Sequence, residues 1–121
     1  HFFKPITGLI SKELKINEGH NGIDIVAEKN AGVKSTLNGK VILSAWTVET
    51  GHVIAIQHSN DLISVYKHNS VLLKKEGAIV KAGEVIAIVG NSGKFTTGPH
   101  LHFEIWFKGS PLNPEEVINF E

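Results

Sequence analysis

The feature that most constrains this chain is its period. Apolar residues recur at every second position in short runs, and glycine, asparagine or aspartate closes many of the runs. A period of two is the spacing of a half-buried strand, and no sustained helical period competes with it. The chain reads as mainly β. Strands are expected at 22–28 (GIDIVAE), 33–37 (VKSTL), 40–48 (KVILSAWTV), 52–59 (HVIAIQHS), 62–69 (LISVYKHN) and 100–109 (HLHFEIWFKG). Shorter strands are expected within 71–90, broken by Gly77 and Gly83. Asn38-Gly39 carries a hairpin signal, because both residues tolerate positive φ. A turn around Asn60-Asp61 suggests another hairpin. Residues 1–14 read as an irregular lead-in, and 91–99 (NSGKFTTGP) as a loop. One short helix is expected within 113–120, with Asn113 as N-cap, Pro114 at the first helical position and acidic residues in the first turn.

A chain of 121 residues supports one core, so 1–121 is read as a single domain. Its 12 basic and 12 acidic side chains cancel, which removes the broad positive field that nucleic-acid binding requires. Cysteine is absent, so disulfides and thiolate metal sites are excluded. No apolar run is long enough to span a membrane. The chain starts at His1 rather than Met and is taken as a processed form or an excised piece of a longer protein. His1 is left out of the site arguments for that reason.

Three short motifs carry the chemistry. In GPHLHFEIW (98–106), His100 and His102 share one strand face, while Leu101, Phe103 and Ile105 occupy the other. Side chains two apart on a strand can approach one centre, one touching a metal and the other standing just beyond it. The same spacing also fits a solvent-facing polar edge. In HNGID (20–24), a bend at Asn21-Gly22 precedes a strand in which Asp24 lies between Ile23 and Ile25. A carboxylate among apolar residues needs a partner, and a metal ion is one; a solvated strand start is the other reading. In VYKHN (65–69), the alternation puts Tyr66 and His68 on one face. His58 closes a strand on the face of Ile54 and Ile56, and a packed, hydrogen-bonded role is expected for it.

Together these residues meet the needs of a catalytic zinc site, which takes three protein ligands and leaves a position for water. His20, Asp24 and one of His100 and His102 satisfy the count. His68 and His100 are available for proton transfer and oxyanion stabilisation. Glu104, on the His102 face, is a candidate partner for the second nitrogen of a ligating histidine. Tyr66 is placed with Glu104 as a supporting residue.

The H-x-G-x-D of HNGID, the Y-x-H of YKH and the H-x-H of GPHLHFE, taken in order, resemble the M23 or LytM-type zinc metallopeptidases, the lysostaphin-like endopeptidases. The framework stretches NGKVILSAW, HVIAIQH and VKAGEVIAIVG resemble that family too, so the likeness runs from about Pro5 to about Pro114. It implies a compact antiparallel β-sheet domain with a loop-lined groove. It implies zinc held by His20, Asp24 and His102, with His68 and His100 flanking the reacting water and His100 assigned as general base. It further implies peptidoglycan peptide as substrate and a periplasmic or extracellular place in the cell envelope, and a monomer is expected. One departure is Asn69, where the family often has leucine. A non-catalytic LytM-type domain that binds the wall or regulates an amidase is the alternative. A second alternative comes from GAIVKAGEVIAIVG, which resembles half of a lipoyl or biotinyl carrier domain with Lys81 near the hairpin tip.

Overall fold

The alternation at the C-terminal end becomes the strand on which the site is built. His100–Phe107 forms β9, with Leu101, Phe103 and Ile105 buried on the core side. The computed structural model describes residues 1–90 and 98–121. Before β9 in the chain come β1 (Leu9–Lys12), β2 (Ile23–Val26), β3 (Gly32–Lys34), β4 (Gly39–Thr47), β5 (Gly51–Gln57), β6 (Leu62–Leu72), β7 (Ile79–Val80) and β8 (Val85–Val89). After it come β10 (Ser110–Leu112) and a single helical turn, α1 (Pro114–Val117).

The main sheet runs β1-β2-β9-β6-β5-β4-β7, with β10 on β9, and β8 bridging β6 and β3. Every described pairing is antiparallel. The fold is thus the mainly β, antiparallel sheet with a short C-terminal helix that the sequence predicts. Asn113 caps α1 by accepting a hydrogen bond from the Glu115 N–H at 3.1 Å. The core is one cluster in which Ile23 and Ile25 of β2, Ile54 and Ile56 of β5, Tyr66 of β6, Ile86 of β8, and Leu101, Phe103 and Ile105 of β9 are all buried.

The Asn60-Asp61 turn joins β5 to β6 as expected, with both residues at positive φ, 62° and 61°. Two consecutive left-handed residues give the turn whose twist suits a two-stranded hairpin. Asn38-Gly39 does not make a hairpin. Strand β3 pairs with β8, while β4 pairs with β5 and β7. The dipeptide is there for close approach instead. A Cβ on Gly39 would lie 2.4 Å from the Gln57 carbonyl oxygen, and the Asn38 side chain accepts a hydrogen bond from the Ala82 N–H at 2.7 Å. The lead-in contains a strand missed from sequence: β1 pairs with β2, yet its Leu9 is 80% exposed, so it lacks the buried alternating face that marks a strand. The loop expected at 91–99 falls outside the described residues except for Gly98 and Pro99.

Strand β7 pairs with β4 and β8 pairs with β3 and β6, so the two flank Lys81 without pairing to one another. The carrier-domain hairpin therefore does not form. The Lys81 N–H donates to Glu84 Oε1 at 2.9 Å across the turn.

Candidate metal centre

Register brings the site together. Asp24 of β2 and Lys67 of β6 both stand directly opposite His102 of β9. Residues opposed across neighbouring strands share a face, so the three form a row across the sheet. The next row, Ile23, Phe103 and Tyr66, faces the core. Gly22 permits the close packing at the start of β2, since a Cβ there would lie 2.3 Å from the Phe103 carbonyl oxygen.

His20 reaches the row from the preceding loop. A 3-10 turn at Ile16–Glu18, ended by Gly19 at φ 75°, returns the chain so that His20 bridges Lys15 through two backbone hydrogen bonds. His20 Nδ1 is 2.7 Å from the Glu13 carbonyl and donates to it, which leaves Nε2 as the nitrogen directed at Asp24 Oδ1, 3.3 Å away. His102 Nδ1 lies 2.7 Å from the same oxygen, and His102 Nε2 lies 2.7 Å from Glu104 Oε2. One donor atom each from His20, Asp24 and His102 fall within 4.8 Å of one another.

This geometry fits a metal ion. Each histidine commits one nitrogen to an outer acceptor, which turns the other toward a shared carboxylate, the usual outer-shell pattern of metal-ligating histidine. Two imidazole nitrogens and a carboxylate are the borderline donor set that suits zinc. Burial works to raise the Asp24 carboxyl, but hydrogen bonds and charge from His102 and His20 outweigh it and hold it below the ordinary value. Burial works to lower the His102 imidazole, but Asp24 and Glu104 on either side raise it. A metal ion bound at His102 Nδ1 would have to displace a proton there.

Glu104 stands against the edge of the His102 ring opposite Asp24. Besides His102, it accepts from the Lys67 ammonium at 3.0 Å and from the Trp106 indole N–H at 2.8 Å. Burial opposes its ionisation, yet these donors bring its carboxyl down to about 2. Lys67 and Trp106 were not singled out from sequence. Trp106 continues the i, i+2 series of His102 and Glu104 and could have been found; Lys67 is visible only once its register is known.

The expectation that Tyr66 and His68 share a face does not hold. Ile54 pairs with Tyr66 and His52 with Asn69, so Val53 alone opposes Lys67 and His68. This β-bulge slips the alternation by one residue. His68 sits at φ 68°, and its N–H bonds the Thr50 carbonyl at 2.8 Å. Its ring comes within 5.5 Å of the His100 ring and 6.2 Å of the His102 ring, centre to centre. Tyr66 stays in the core against Phe103, and its hydroxyl joins Ser64 at 2.8 Å and the Thr36 N–H at 3.0 Å. These contacts tie Tyr66 to the core network on the far side of the sheet from the row of Asp24, His102 and Lys67. His58 is packed and bonded as expected, to the Asn38 carbonyl and to Ser64 at 2.7 Å each.

Asn69 clips the bulge. Its amide N–H groups donate to the His52 and Tyr66 carbonyls at 3.0 Å each. Gly90 packs against the same point, where a Cβ would lie 2.0 Å from the His68 carbonyl oxygen. Burial, reinforced by the neighbouring imidazoles of His100 and His102, holds His68 below its ordinary value. His100 Nδ1 faces the Gly98 carbonyl at 3.5 Å.

A depression of about 600 Å³ opens beside His20, lined by Ile10, Lys12, Glu13, Lys15 and Glu18. A larger one, about 710 Å³, lies between β1 and the C-terminal segment and contains none of the site residues.

The antiparallel sheet thus presents a His-Asp-His donor set, with the His68 ring 6.2 Å from that of His102 and the His100 ring 5.5 Å from that of His68. The model of peptidase family M23 matches residues 18–114, and the chain belongs to that family. It is 38% identical over 112 residues to the murein hydrolase activator NlpD of Salmonella dublin, covering 91% of this chain and 29% of that protein. It is 37% identical over 98 residues to the DD-carboxypeptidase/endopeptidase Mpg of Neisseria meningitidis serogroup B, covering 81% of this chain and 22% of that protein. Among solved structures, a zinc-containing peptidase from Vibrio cholerae superposes with a TM-score of 0.73 at 33% identity, over 93% of this chain and 36% of that one. The chain thus spans less than a third of the length of these curated relatives. Among the described residues, no helix is long and apolar enough to cross a membrane.

Proposed function

We propose that this chain is the catalytic domain of a zinc-dependent endopeptidase that hydrolyses peptide bonds in bacterial peptidoglycan. The observation that carries the reading is the convergence of donor atoms of His20, Asp24 and His102 within 4.8 Å of one another, with the His68 ring 6.2 Å from that of His102 and the His100 ring 5.5 Å from that of His68. His20 Nε2, Asp24 Oδ1 and His102 Nδ1 would hold the metal. When bound, zinc supplies Lewis acidity and a water made acidic enough to react near neutral pH.

The chain's own residues do the rest. His100 takes the proton of the attacking water and returns it to the leaving amine. His68, whose ring lies 5.5 Å from that of His100, donates a hydrogen bond to the oxyanion as the carbonyl becomes tetrahedral. The bulge that turns His68 out of the core is what makes that placement available. The substrate is a cross-link or stem peptide, and the protein acts as a monomer in the periplasm or outside the cell.

A second reading is favoured by one observation: the curated relatives at 38% identity are named as activators of murein hydrolases. On that reading the domain binds or regulates and cleaves nothing. Digestion of purified sacculi with and without chelator, followed by mass analysis of the fragments, separates the two. New peptide termini that vanish with chelator are expected. An unchanged fragment profile would assign the domain to the activator class.

A further inference from the structure

Glu104 is only 5% exposed, and a carboxylate at that depth is costly unless it is fully bonded. Its two oxygens are occupied from two directions. Lys67 comes from the neighbouring strand β6 to Oε2, and the Trp106 indole N–H comes from two residues further along β9 to Oε1. A donor on each oxygen sets both the position and the plane of the carboxylate. Oε2 is then directed at His102 Nε2, 2.7 Å away, and the opposite edge of the same ring is turned to Asp24.

We infer that Lys67 and Trp106 are positioning residues for the metal centre: together they brace Glu104, which holds the His102 ring with Nδ1 presented to the metal. The inference rests on the zinc reading above. A plain structural pair linking β6 to β9 would add stability without touching metal affinity. The brace differs because it acts on one torsion of one ligand, and outer partners of this kind typically change metal affinity by about 10–100-fold.

The test is zinc affinity by competition with a fluorescent chelator, measured on protein shown to be folded by circular dichroism. The set is wild type, Lys67→Met, Lys67→Arg, Trp106→Phe and Glu104→Ala, with Lys67→Met and Trp106→Phe repeated in the Glu104→Ala background. Lys67→Met and Trp106→Phe should each weaken zinc binding about 10-fold or more, and Lys67→Arg should recover most of the loss. Neither change should weaken binding further once Glu104 is alanine, because both act through it. Affinities of the two single variants within about twofold of wild type, or losses that add to that of Glu104→Ala, would overturn the brace. Should Lys67→Met fail to fold, Trp106→Phe, which removes a neutral donor and keeps an aromatic ring, decides the matter. Wild-type protein that binds no zinc would defeat the metal reading itself, whereas wild-type binding with unaffected variants would defeat only the brace.

Discussion

Replacing Tyr66 with phenylalanine isolates the core from the metal centre. The Tyr66 hydroxyl lies in a fully buried position, accepts the Thr36 N–H at 3.0 Å and shares a proton with Ser64 at 2.8 Å. Phenylalanine keeps the ring packed on Phe103 and removes only the oxygen. Ser64 keeps His58 as a partner, but the Thr36 N–H, on a residue 1% exposed, is left without its acceptor. An orphaned buried donor costs about 1–3 kcal/mol, and the small void adds a little, so a loss of about 2 kcal/mol is expected. For a chain of 121 residues that corresponds to a fall in Tm of roughly 8 °C. Thermal unfolding by circular dichroism measures it, with zinc affinity and peptide hydrolysis measured at a temperature where both proteins are folded. Stability should fall while zinc affinity and turnover stay at wild-type values. An unchanged Tm with lost zinc or lost turnover would refute the assignment of Tyr66 to the core network and restore it to the site.

Four further outcomes are expected. His20→Ala, Asp24→Ala and His102→Ala should each lose most of the bound zinc by elemental analysis, because a three-ligand site cannot spare one. His68→Ala and His100→Ala should retain zinc but lower hydrolysis by about 10²–10⁴-fold; full activity in His100→Ala would exclude it as the base. Gly90→Ala should distort the bulge, since its Cβ would meet the His68 carbonyl oxygen at 2.0 Å, costing about 2 kcal/mol in denaturant titrations and slowing turnover. Burial holds the His58 imidazole below 6.5 in the folded protein, so the unfolded chain takes up its proton first. The stability this gives is present above the unfolded value and is lost as pH falls through the folded one. The stability gap between wild type and His58→Gln should therefore narrow as pH is lowered below about 6.5; a gap that widens on acidification would reverse the argument.

Local pattern decided a good deal. Alternation alone placed β2, β4, β5 and β9 within a few residues and sorted Leu101, Phe103 and Ile105 from His102 and Glu104, because a strand's side-chain period is a property of its own backbone. Asn113 and Pro114 announced α1 for an equally local reason. The donors His20, Asp24 and His102 were legible as motifs and as a family resemblance. What alternation could not supply was pairing. Strand β1 is exposed and has no periodic signal, and it is a strand because β2 offers it backbone partners. Asn38-Gly39 has the chemistry of a hairpin, yet the strands on either side find other neighbours.

The sequence by itself determined that the chain is β and which side chains can bind a metal, because residue type and a two-residue period suffice for both. Only the tertiary structure decided which of those side chains meet. Asp24 and Lys67 flank His102 through the registers of β2 and β6 on β9. Tyr66 and His68, two apart and nominally on one face, part company because one extra residue in β6 has no counterpart in β5. Register and bulge depend on two strands at once, and no pattern read along one strand contains them.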